Sequence, residues 1–249
     1  MDLLVQLVKT SFKLKYNGSI LGMIWVLLKP FMQFLILYVV FSSFGGNSSI
    51  ENFTIYLLTG LLIFSFIQEG IMTGIHALLD KAHIILKVNF DKTLVIYASF
   101  LLALINFLIN SIIIGVFIIF NPVHTNILAI LYIIFVLIII SLILVGLSFF
   151  TSIIAIKIRD LQHIAEVAMQ LLFYATPIFY QLEIVPVQYR QILRYNPIYI
   201  LMEAIRASLI KGDIIFLRSV TFLAIFSVVL FIFGYKYFNH KIKKVAEFF

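Results

Sequence analysis

Long uncharged runs of apolar residues alternate along the chain with short polar segments that hold most of its charges. A run of about 20 apolar residues is long enough to cross the hydrocarbon core of a bilayer as a helix. The pattern therefore predicts an all-α membrane protein with six transmembrane helices. The predicted spans cover residues 20–44, 53–79, 93–120, 127–156, 164–180 and 219–238.

Residues 1–16 follow a different pattern. Apolar residues such as Leu4, Leu7 and Val8 recur at helical spacing between polar ones, which is typical of an amphipathic helix that lies in the bilayer surface. Asn17-Gly18 is a turn signal that ends this helix. The lysines come late and no small-residue cleavage site follows, so a signal peptide is not expected.

The segment 157–210 breaks the pattern of long runs. It opens with charges, enters an apolar helix, breaks at Thr176-Pro177 and continues as short amphipathic pieces interrupted at Asn196-Pro197. Broken helices are tolerated at membrane depth only where they are buried in protein or line a watery path. We therefore predict short re-entrant helices between the fifth and sixth spans, forming an external cap over residues 181–217.

Composition identifies the solvent. Of 249 residues, 63% are hydrophobic and 12% are charged, and the mean hydropathy is +1.14. Soluble domains contain roughly 25% charged residues, so the chain is expected to be a polytopic membrane protein. It contains no cysteine, which excludes disulfides, metal–thiolate sites and thiol catalysis.

Lysine and arginine residues concentrate at both termini and in the segments 80–92 and 157–159, whereas the loops 45–52 and 121–126 have none. Cytoplasmic loops carry an excess of these residues, so both termini and the two basic loops are predicted to be cytoplasmic. The segment 181–218 is external in this topology although it is basic, and we interpret its charges as functional or acid-paired. Its basic residues are Arg190, Arg194, Arg206, Lys211 and Arg218, and its acids are Glu183, Glu203 and Asp213.

Four blocks of sequence resemble one transporter family. They are LKYNGSILGMIWVLLKPFMQFLILYVVFS, YLLTGLLIFSFIQEGI, HIILKVNFDKTLVIYASF, and RDLQHIAEVAMQLLFYATPIFY followed by YNPIYILMEAIRASLI. Together they resemble the permease subunits of ABC transporters that export lipid-linked polysaccharides such as O-antigen, capsule and teichoic acid. The chain departs from the family pattern at Lys29-Pro30, where Asn-Pro is usual, and at Phe90-Asp91, where Phe-Pro is usual. The second departure bears on how rigidly the cytoplasmic loop is held.

The resemblance implies a single transmembrane permease domain over residues 1–249, in the inner or plasma membrane of a bacterium or archaeon. It implies a homodimer docked on two copies of an ATP-binding subunit, with a channel between the two permease copies. The cargo would be an undecaprenyl-diphosphate-linked polysaccharide, moved outward by ATP hydrolysis in the partner. The chain has no GxxxxGK[ST] phosphate loop, so it is expected to be a transport subunit rather than an enzyme. ATP and Mg are expected in the partner, and no cofactor or nucleic acid with this chain.

The resemblance also assigns coupling to the ATP-binding subunit to the helix 1–16 and the loop 80–92. The residues concerned are Asp80, Lys81, Lys87 and Asn89. A second interpretation is that the helix is a surface anchor and that the lysines are only topological charge.

Substrate chemistry indicates where cargo contacts would lie. A diphosphate calls for Lys or Arg, and the candidates are Lys157, Arg159, Lys13 and Lys15, with Lys29 as a further possibility; alternatively these are positive-inside charges, with Asp160 pairing Arg159. Sugars favour aromatic faces near polar groups, which points to Tyr38, Phe41, Phe173, Tyr174, Phe179 and Tyr180 as channel lining, with Gln33 and Gln170 nearby. The external gate is predicted at Pro177, Asn196, Pro197, Glu203 and Arg206.

Two acids at membrane depth, Glu69 and Glu166, are functional candidates by default, with a salt bridge or a position near the headgroups as the alternative. His163 and Glu166 are spaced like half of a helical metal site, but no second pair supports them and no metal is expected.

Three other classes of function compete. An exporter of a drug, small lipid or peptide on a related permease fold is the principal alternative. A membrane enzyme would need a convergent acid–base or metal constellation, and the acids here are scattered. A passive channel would leave the basic coupling loop without a role.

Overall fold

The computed structural model describes residues 2–16, 21–43 and 50–243. Within these residues the chain forms ten α-helices and one 3-10 turn and no strand, which confirms the predicted all-α fold. The helices are α1 (Asp2–Tyr16), α2 (Ile24–Ser43), α3 (Phe53–Asp80), α4 (Ala82–Ile85), α5 (Thr93–Phe120), α6 (Ile127–Lys157), α7 (Leu161–Ala175), α8 (Val187–Arg194), α9 (Pro197–Ile210) and α10 (Leu217–Lys241).

Five of the described helices are long and apolar enough to cross a bilayer: α2, α3, α5, α6 and α10. They lie where the first four spans and the last were predicted, and the ends of α3, α5, α6 and α10 agree with the prediction to within three residues. The predicted limits of the first span, residues 20 and 44, and the turn at Asn17-Gly18 lie outside the described residues. The amphipathic helix predicted over residues 1–16 corresponds to α1.

No single helix covers the fifth predicted span, 164–180. α7 has 15 residues and ends at Ala175, so at a rise of about 1.5 Å per residue it is about 22 Å long, against a hydrocarbon core of about 30 Å. The chain then runs without helix through Thr176, Pro177 and Ile178, all of which are buried. Proline disfavours the helical conformation in the residue before it, and Thr176 is accordingly extended.

The most deeply buried span is α3, which packs against α5, α6, α7, α9 and α2. Its Gly70 and Gly74 face α6: a Cβ added at Gly70 would meet the side chain of Leu144, and one at Gly74 would meet Ser148. Small residues four apart let helix backbones approach closely in membranes. Gly70 and Gly74 therefore form a GxxxG contact, and α6 is its partner.

The segment 181–217 differs from the short pieces expected. The 3-10 turn Leu182–Ile184 and the exposed α8 are short, but α9 has 14 residues and is buried against α3 and α6. Asn196-Pro197 is the start of α9 and not an interruption within a piece: the Asn196 side chain accepts a hydrogen bond from the Ile198 N–H at 2.9 Å, and Pro197 occupies the first turn. Both residue types are favoured at these positions.

The loop between α3 and α5 contains α4 and ends in a cap. The Asp91 carboxylate accepts hydrogen bonds from the backbone N–H of Thr93 at 3.0 Å and from its hydroxyl at 2.8 Å. These bonds satisfy part of the first turn of α5. Asp91 therefore holds the end of the loop at the site where the family more often has proline.

Candidate functional site

A polar cleft of about 380 Å³ lies between α1, α2, α3 and α5. Most of the residues that line it carry polar or charged side chains, although the chain as a whole is strongly hydrophobic. Its residues are Lys15, Tyr16, Trp25, Val26, Lys29, Pro30, Gln33, Ser65, Gln68, Glu69, Asn106 and Asn110. We refer to it below as the polar cleft.

An ion pair between Lys15 and Glu69 ties α1 to the middle of α3. The Lys15 Nζ lies 2.5 Å from Glu69 Oε1, and the Asn106 side-chain amide donates to the same oxygen at 2.5 Å. Burial lowers the pKa of Lys15, but attraction to and hydrogen bonding with the Glu69 carboxylate outweigh it and leave the pKa raised. Lys15 is therefore charged and already paired. The salt bridge considered as an alternative for Glu69 is observed.

A second lysine, Lys81, fixes α1 near its centre. It follows the last residue of α3, is buried, and donates from Nζ to the Ser11 hydroxyl at 2.6 Å. Burial lowers its pKa, while Asp80 acts in the opposite direction. Of the residues predicted to couple the ATP-binding subunit, Asp80, Lys87 and Asn89 are exposed, whereas Lys81 contacts α1.

Arg206 on α9 forms a buried corner with α3 and the break after α7. Its side chain is 1% exposed, and its guanidinium donates to the backbone carbonyls of Tyr56 at 3.0 Å, Pro177 at 2.9 Å and Ile178 at 2.6 Å. It also pairs with Glu203 at 3.4 Å. The carbonyls freed where α7 breaks are thus satisfied by an arginine, and the break can exist in a buried place.

The packing around this guanidinium is close. It lies 3.6 Å from the centre of the Tyr56 ring, a distance at which a cation is attracted to the ring face. On the next turn of α3, a Cβ added at Gly60 would collide with the guanidinium and would come within 3.2 Å of the Ile178 carbonyl. The absence of a side chain at Gly60 therefore leaves the room that the Arg206 guanidinium occupies.

The predicted gate residues meet at this corner. Asn196 donates from its amide to the Thr176 hydroxyl at 3.0 Å, which links the start of α9 to the residue before Pro177. Arg206 joins Pro177 and Glu203 as described. Pro197 is exposed at the start of α9. The structure thus brings the predicted gate residues together where α9 meets the break after α7, and hydrogen bonds and an ion pair join this region.

Five of the six predicted channel-lining aromatics form one cluster at the C-terminal ends of α2 and α7. Its ring centroids are 4.6 Å apart for Phe41 and Phe179, 5.8 Å for Phe173 and Phe179, 5.3 Å for Phe173 and Tyr174, and 5.2 Å for Phe179 and Tyr180. Tyr38, the sixth, lies in a separate group with Phe34 and Phe53.

One face of α7 is polar and exposed. His163, Glu166, Gln170 and Tyr174 recur at helical spacing on this face, and His163 and Glu166 form a pair at 3.5 Å. In the part of the chain that the structure describes, no three His, Cys, Asp or Glu residues come together as a metal site would require. A row of polar side chains along one face of a largely apolar helix indicates that this face contacts water or a polar cargo.

The residues predicted to contact a diphosphate are divided within the subunit. Lys157 ends α6 and Arg159 is exposed before α7, whereas Lys13 and Lys15 lie on α1, which packs against α5. Lys15 is paired with Glu69, and Lys13 is exposed. The four candidates thus come from two parts of the subunit, α1 and the turn between α6 and α7.

Sequence reasoning missed several residues of these sites. Asn106 and Asn110 lie four residues apart in the apolar α5, so both face the polar cleft side of that helix. That spacing was a usable signal, because an amide at membrane depth needs a partner. Tyr56 and Gly60 gave no signal, since their importance arises from a side chain that is distant in sequence.

Comparison with known proteins agrees with the earlier resemblance. The family model described as "ABC-2 type transporter" matches residues 2–210. An O-antigen export system permease protein RfbA of Klebsiella pneumoniae is 24% identical over 246 residues, covering 99% of this chain and 94% of the relative. An RfbA of Myxococcus xanthus is 27% identical over 247 residues, covering 98% and 94%.

Proposed function

Since the chain belongs to the ABC-2 type transporter family, we propose that it is the channel-forming subunit of an exporter of undecaprenyl-diphosphate-linked polysaccharide. As a permease of this family it is a multi-pass membrane protein and a transport subunit without an ATPase domain, and such permeases pair with an ATP-binding subunit. The cargo, an O-antigen, capsule or teichoic acid, moves from the cytoplasm to the outer side of the inner membrane. ATP hydrolysis in the partner subunit drives this movement.

The observation that carries this proposal is the extent of the similarity. The relatives named as O-antigen export permeases align over 98–99% of the chain. The alignment thus includes α1, the basic loop and the α7–α9 region, and does not rest on apolar spans alone.

In the proposed topology the chain crosses the membrane six times and both termini are cytoplasmic. The fifth crossing consists of α7 together with the non-helical segment 176–181. This segment is compatible with membrane depth because Arg206 satisfies the carbonyls of Pro177 and Ile178. The segment 181–217 then forms the external cap, with the Arg206 corner as its fixed base.

The cargo path runs along α2 and α7 between two copies of the subunit. The aromatic cluster offers ring faces for sugars to stack on, and the polar face of α7 offers hydrogen-bonding partners. Most of α7 is exposed in a single subunit, including His163, Glu166 and Tyr174. A second copy and the cargo would cover this surface in the assembled homodimer.

Coupling to the ATP-binding subunit occurs through α1 and the loop 80–92. Asp80, Lys87 and Asn89 supply exposed contacts. Lys81 connects α1 to the C-terminal end of α3, and Lys15 connects it to the middle of α3. A movement of α1 is therefore transmitted to the membrane core. Lys157, Arg159 and Lys13 remain the proposed diphosphate contacts, gathered across the two copies, together with Lys15 if its pair with Glu69 opens.

The test is export in proteoliposomes that contain the permease and its ATP-binding subunit. Undecaprenyl-diphosphate-linked polysaccharide is supplied on the side of the ATP-binding subunit, and the glycan that becomes accessible to a glycosidase on the other side is measured. We expect accumulation that requires Mg-ATP and falls several-fold with Tyr174→Ala. Phe135→Ala, an exposed aromatic residue on α6 outside the cluster, is the matched control.

Two results would refute the proposal. One is the absence of ATP-dependent glycan transfer from a complex that hydrolyses ATP. The other is transfer of glycan-free lipids alone, which would support the small-lipid exporter instead.

A further inference from the structure

The polar cleft contains accessible polar side chains that no residue described by the structure satisfies. Lys29, Gln33 and Gln68 line it, are exposed, and make no hydrogen bond or ion pair with any residue that the structure describes. Lys29 and Gln33 belong to α2 and Gln68 to α3, and both helices are candidate membrane spans. Polar groups at membrane depth are costly unless a partner or water satisfies them.

Two further amides lie deeper in the same wall. Asn106 is 2% exposed and Asn110 is 7% exposed, and neither side-chain carbonyl oxygen has a hydrogen-bond partner within the described residues. The Asn106 side chain is oriented by the hydrogen bond that its NH₂ group donates to Glu69, and this leaves its carbonyl oxygen unsatisfied. A buried acceptor without a donor costs about 1–3 kcal/mol. The cleft therefore contains unsatisfied acceptors on the two asparagines as well as the unsatisfied donors named above. A ligand would have to supply both donors and acceptors.

The charges in the cleft narrow the chemistry of a ligand. Lys15 and Glu69 neutralise each other at 2.5 Å, which leaves the single positive charge of Lys29. A phosphate group offers acceptors only and would lie near the Glu69 carboxylate. A metal cation would have to displace the Lys15 ammonium. A neutral group with many hydroxyls supplies donors and acceptors together and meets neither obstacle.

The shape of the cleft suits a sugar ring. Its volume of about 380 Å³ falls within the roughly 300–1,000 Å³ of small-molecule sites. Trp25, the single tryptophan of the chain, lines it and is 47% exposed. An indole presents a broad apolar face on which the C–H surface of a pyranose can stack.

We propose that the polar cleft binds a pyranose ring carried on a lipid, with Gln33, Gln68 and Lys29 bonding its hydroxyl groups and Trp25 stacking on its face. Resting on the proposed function, the ring is the sugar next to the diphosphate of the exported polysaccharide. A glycosylated bilayer lipid presents the same chemistry, and the experiment separates these two sources.

The test uses the fluorescence of Trp25 in the full-length permease, held in phosphatidylcholine nanodiscs without sugar. Three probes are titrated: undecaprenyl-diphosphate-N-acetylglucosamine, undecaprenyl diphosphate and glucosyl-diacylglycerol. We expect a saturable change in emission with the first probe and none with the sugar-free diphosphate. An equal response to glucosyl-diacylglycerol identifies the ring alone as the ligand, and its absence identifies the export substrate as the source. An equal response to undecaprenyl diphosphate would overturn the proposal in favour of a phosphate site.

Two variants test the side chains named. Gln33→Leu and Gln68→Leu change exposed positions, so folding should be kept and is checked by melting temperature, and each is expected to weaken binding of the sugar lipid at least tenfold. Gln191→Leu, an exposed glutamine on α8 outside the cleft, should bind as the unchanged protein does. Unchanged binding by both cleft variants would refute the proposal.

Export is measured separately on the same proteins. If the unchanged protein exports glycan but Trp25 never responds to a sugar lipid, this inference fails and the proposed function stands. If sugar lipids bind but no glycan is exported, the proposed function fails, whereas the inference that the polar cleft binds a lipid-borne pyranose ring stands.

Discussion

Replacement of Arg206 by leucine tests whether the corner between α3, α7 and α9 stabilises the fold. The guanidinium is almost completely buried and donates to three backbone carbonyls, of which those of Pro177 and Ile178 belong to non-helical backbone. Leucine fills part of the volume but donates nothing. The two non-helical carbonyls then lose the guanidinium, and Glu203 loses its ion pair.

The magnitude follows from these groups. An unpaired buried acceptor costs about 1–3 kcal/mol, so the two non-helical carbonyls together cost about 2–6 kcal/mol. Glu203, which loses its partner at 3.4 Å, is 24% exposed, so water satisfies part of its charge and the lost ion pair adds little to this range. For a chain of this size a loss of about 2–6 kcal/mol corresponds to a fall in melting temperature of roughly 4–24 °C.

The assay is the fraction of monodisperse protein that survives heating in detergent, followed by fluorescence-detected size-exclusion chromatography. The chain has no cysteine, so thiol-reactive dyes cannot report its unfolding. Arg206→Lys keeps the charge but lacks the planar fork, and an intermediate loss is expected. Arg218→Leu, at an exposed arginine of α10, is the matched control. If Arg206→Leu melts with the control, the corner does not stabilise the fold and the reasoning is wrong.

Four further predictions concern stability and coupling. Gly60→Ala places a methyl group against the buried guanidinium and should lower the melting temperature, whereas Gly115→Ala, with open space around its Cβ, should not; equal effects would contradict the close packing. Asp91→Ala removes the cap of α5 and should cost about 1 kcal/mol, measured by the same heating assay, while an unchanged value would show that the cap is dispensable. Lys15→Glu and Glu69→Lys should each reduce ATP-driven export and the double exchange should restore part of it, a recovery that a purely topological lysine would not produce. The pKa of Lys15 is raised above its usual value of 10.5, so the stabilisation from its pair is complete below that pH and is lost only as the pH rises through the folded-state pKa. Melting temperatures in mildly alkaline buffer should therefore match those at neutral pH.

The positions of the long spans could be predicted because apolar runs in a membrane protein need no distant information. The starts and ends of α3 and α5 follow from where charges and polar turns interrupt those runs. The fifth span was less predictable, since its apolar pattern continues past Ala175 although the helix does not. Pro177 marked the break, but no local pattern indicates whether the freed carbonyls find a donor.

The polar cleft illustrates the same limit. Lys15 was predicted to meet a diphosphate because a lysine near the membrane surface resembles a phosphate contact. Its partner, Glu69, lies 54 residues away in sequence, and only the packing of α1 on the membrane core brings them together. The amides of Asn106 and Asn110 were not singled out, although their spacing of four residues places them on one face of α5.

The sequence alone determined the solvent, the helical class and the family, because hydropathy, span length and ordered sequence blocks are properties of the chain read locally. The tertiary structure decided which charges are free and which are structural. Arg206 counts as an anomalous external charge in the sequence, but in the fold it is the donor that makes a broken helix possible. Its acceptors are contributed by residues as far as 150 positions away, and only folding places them within reach of one guanidinium.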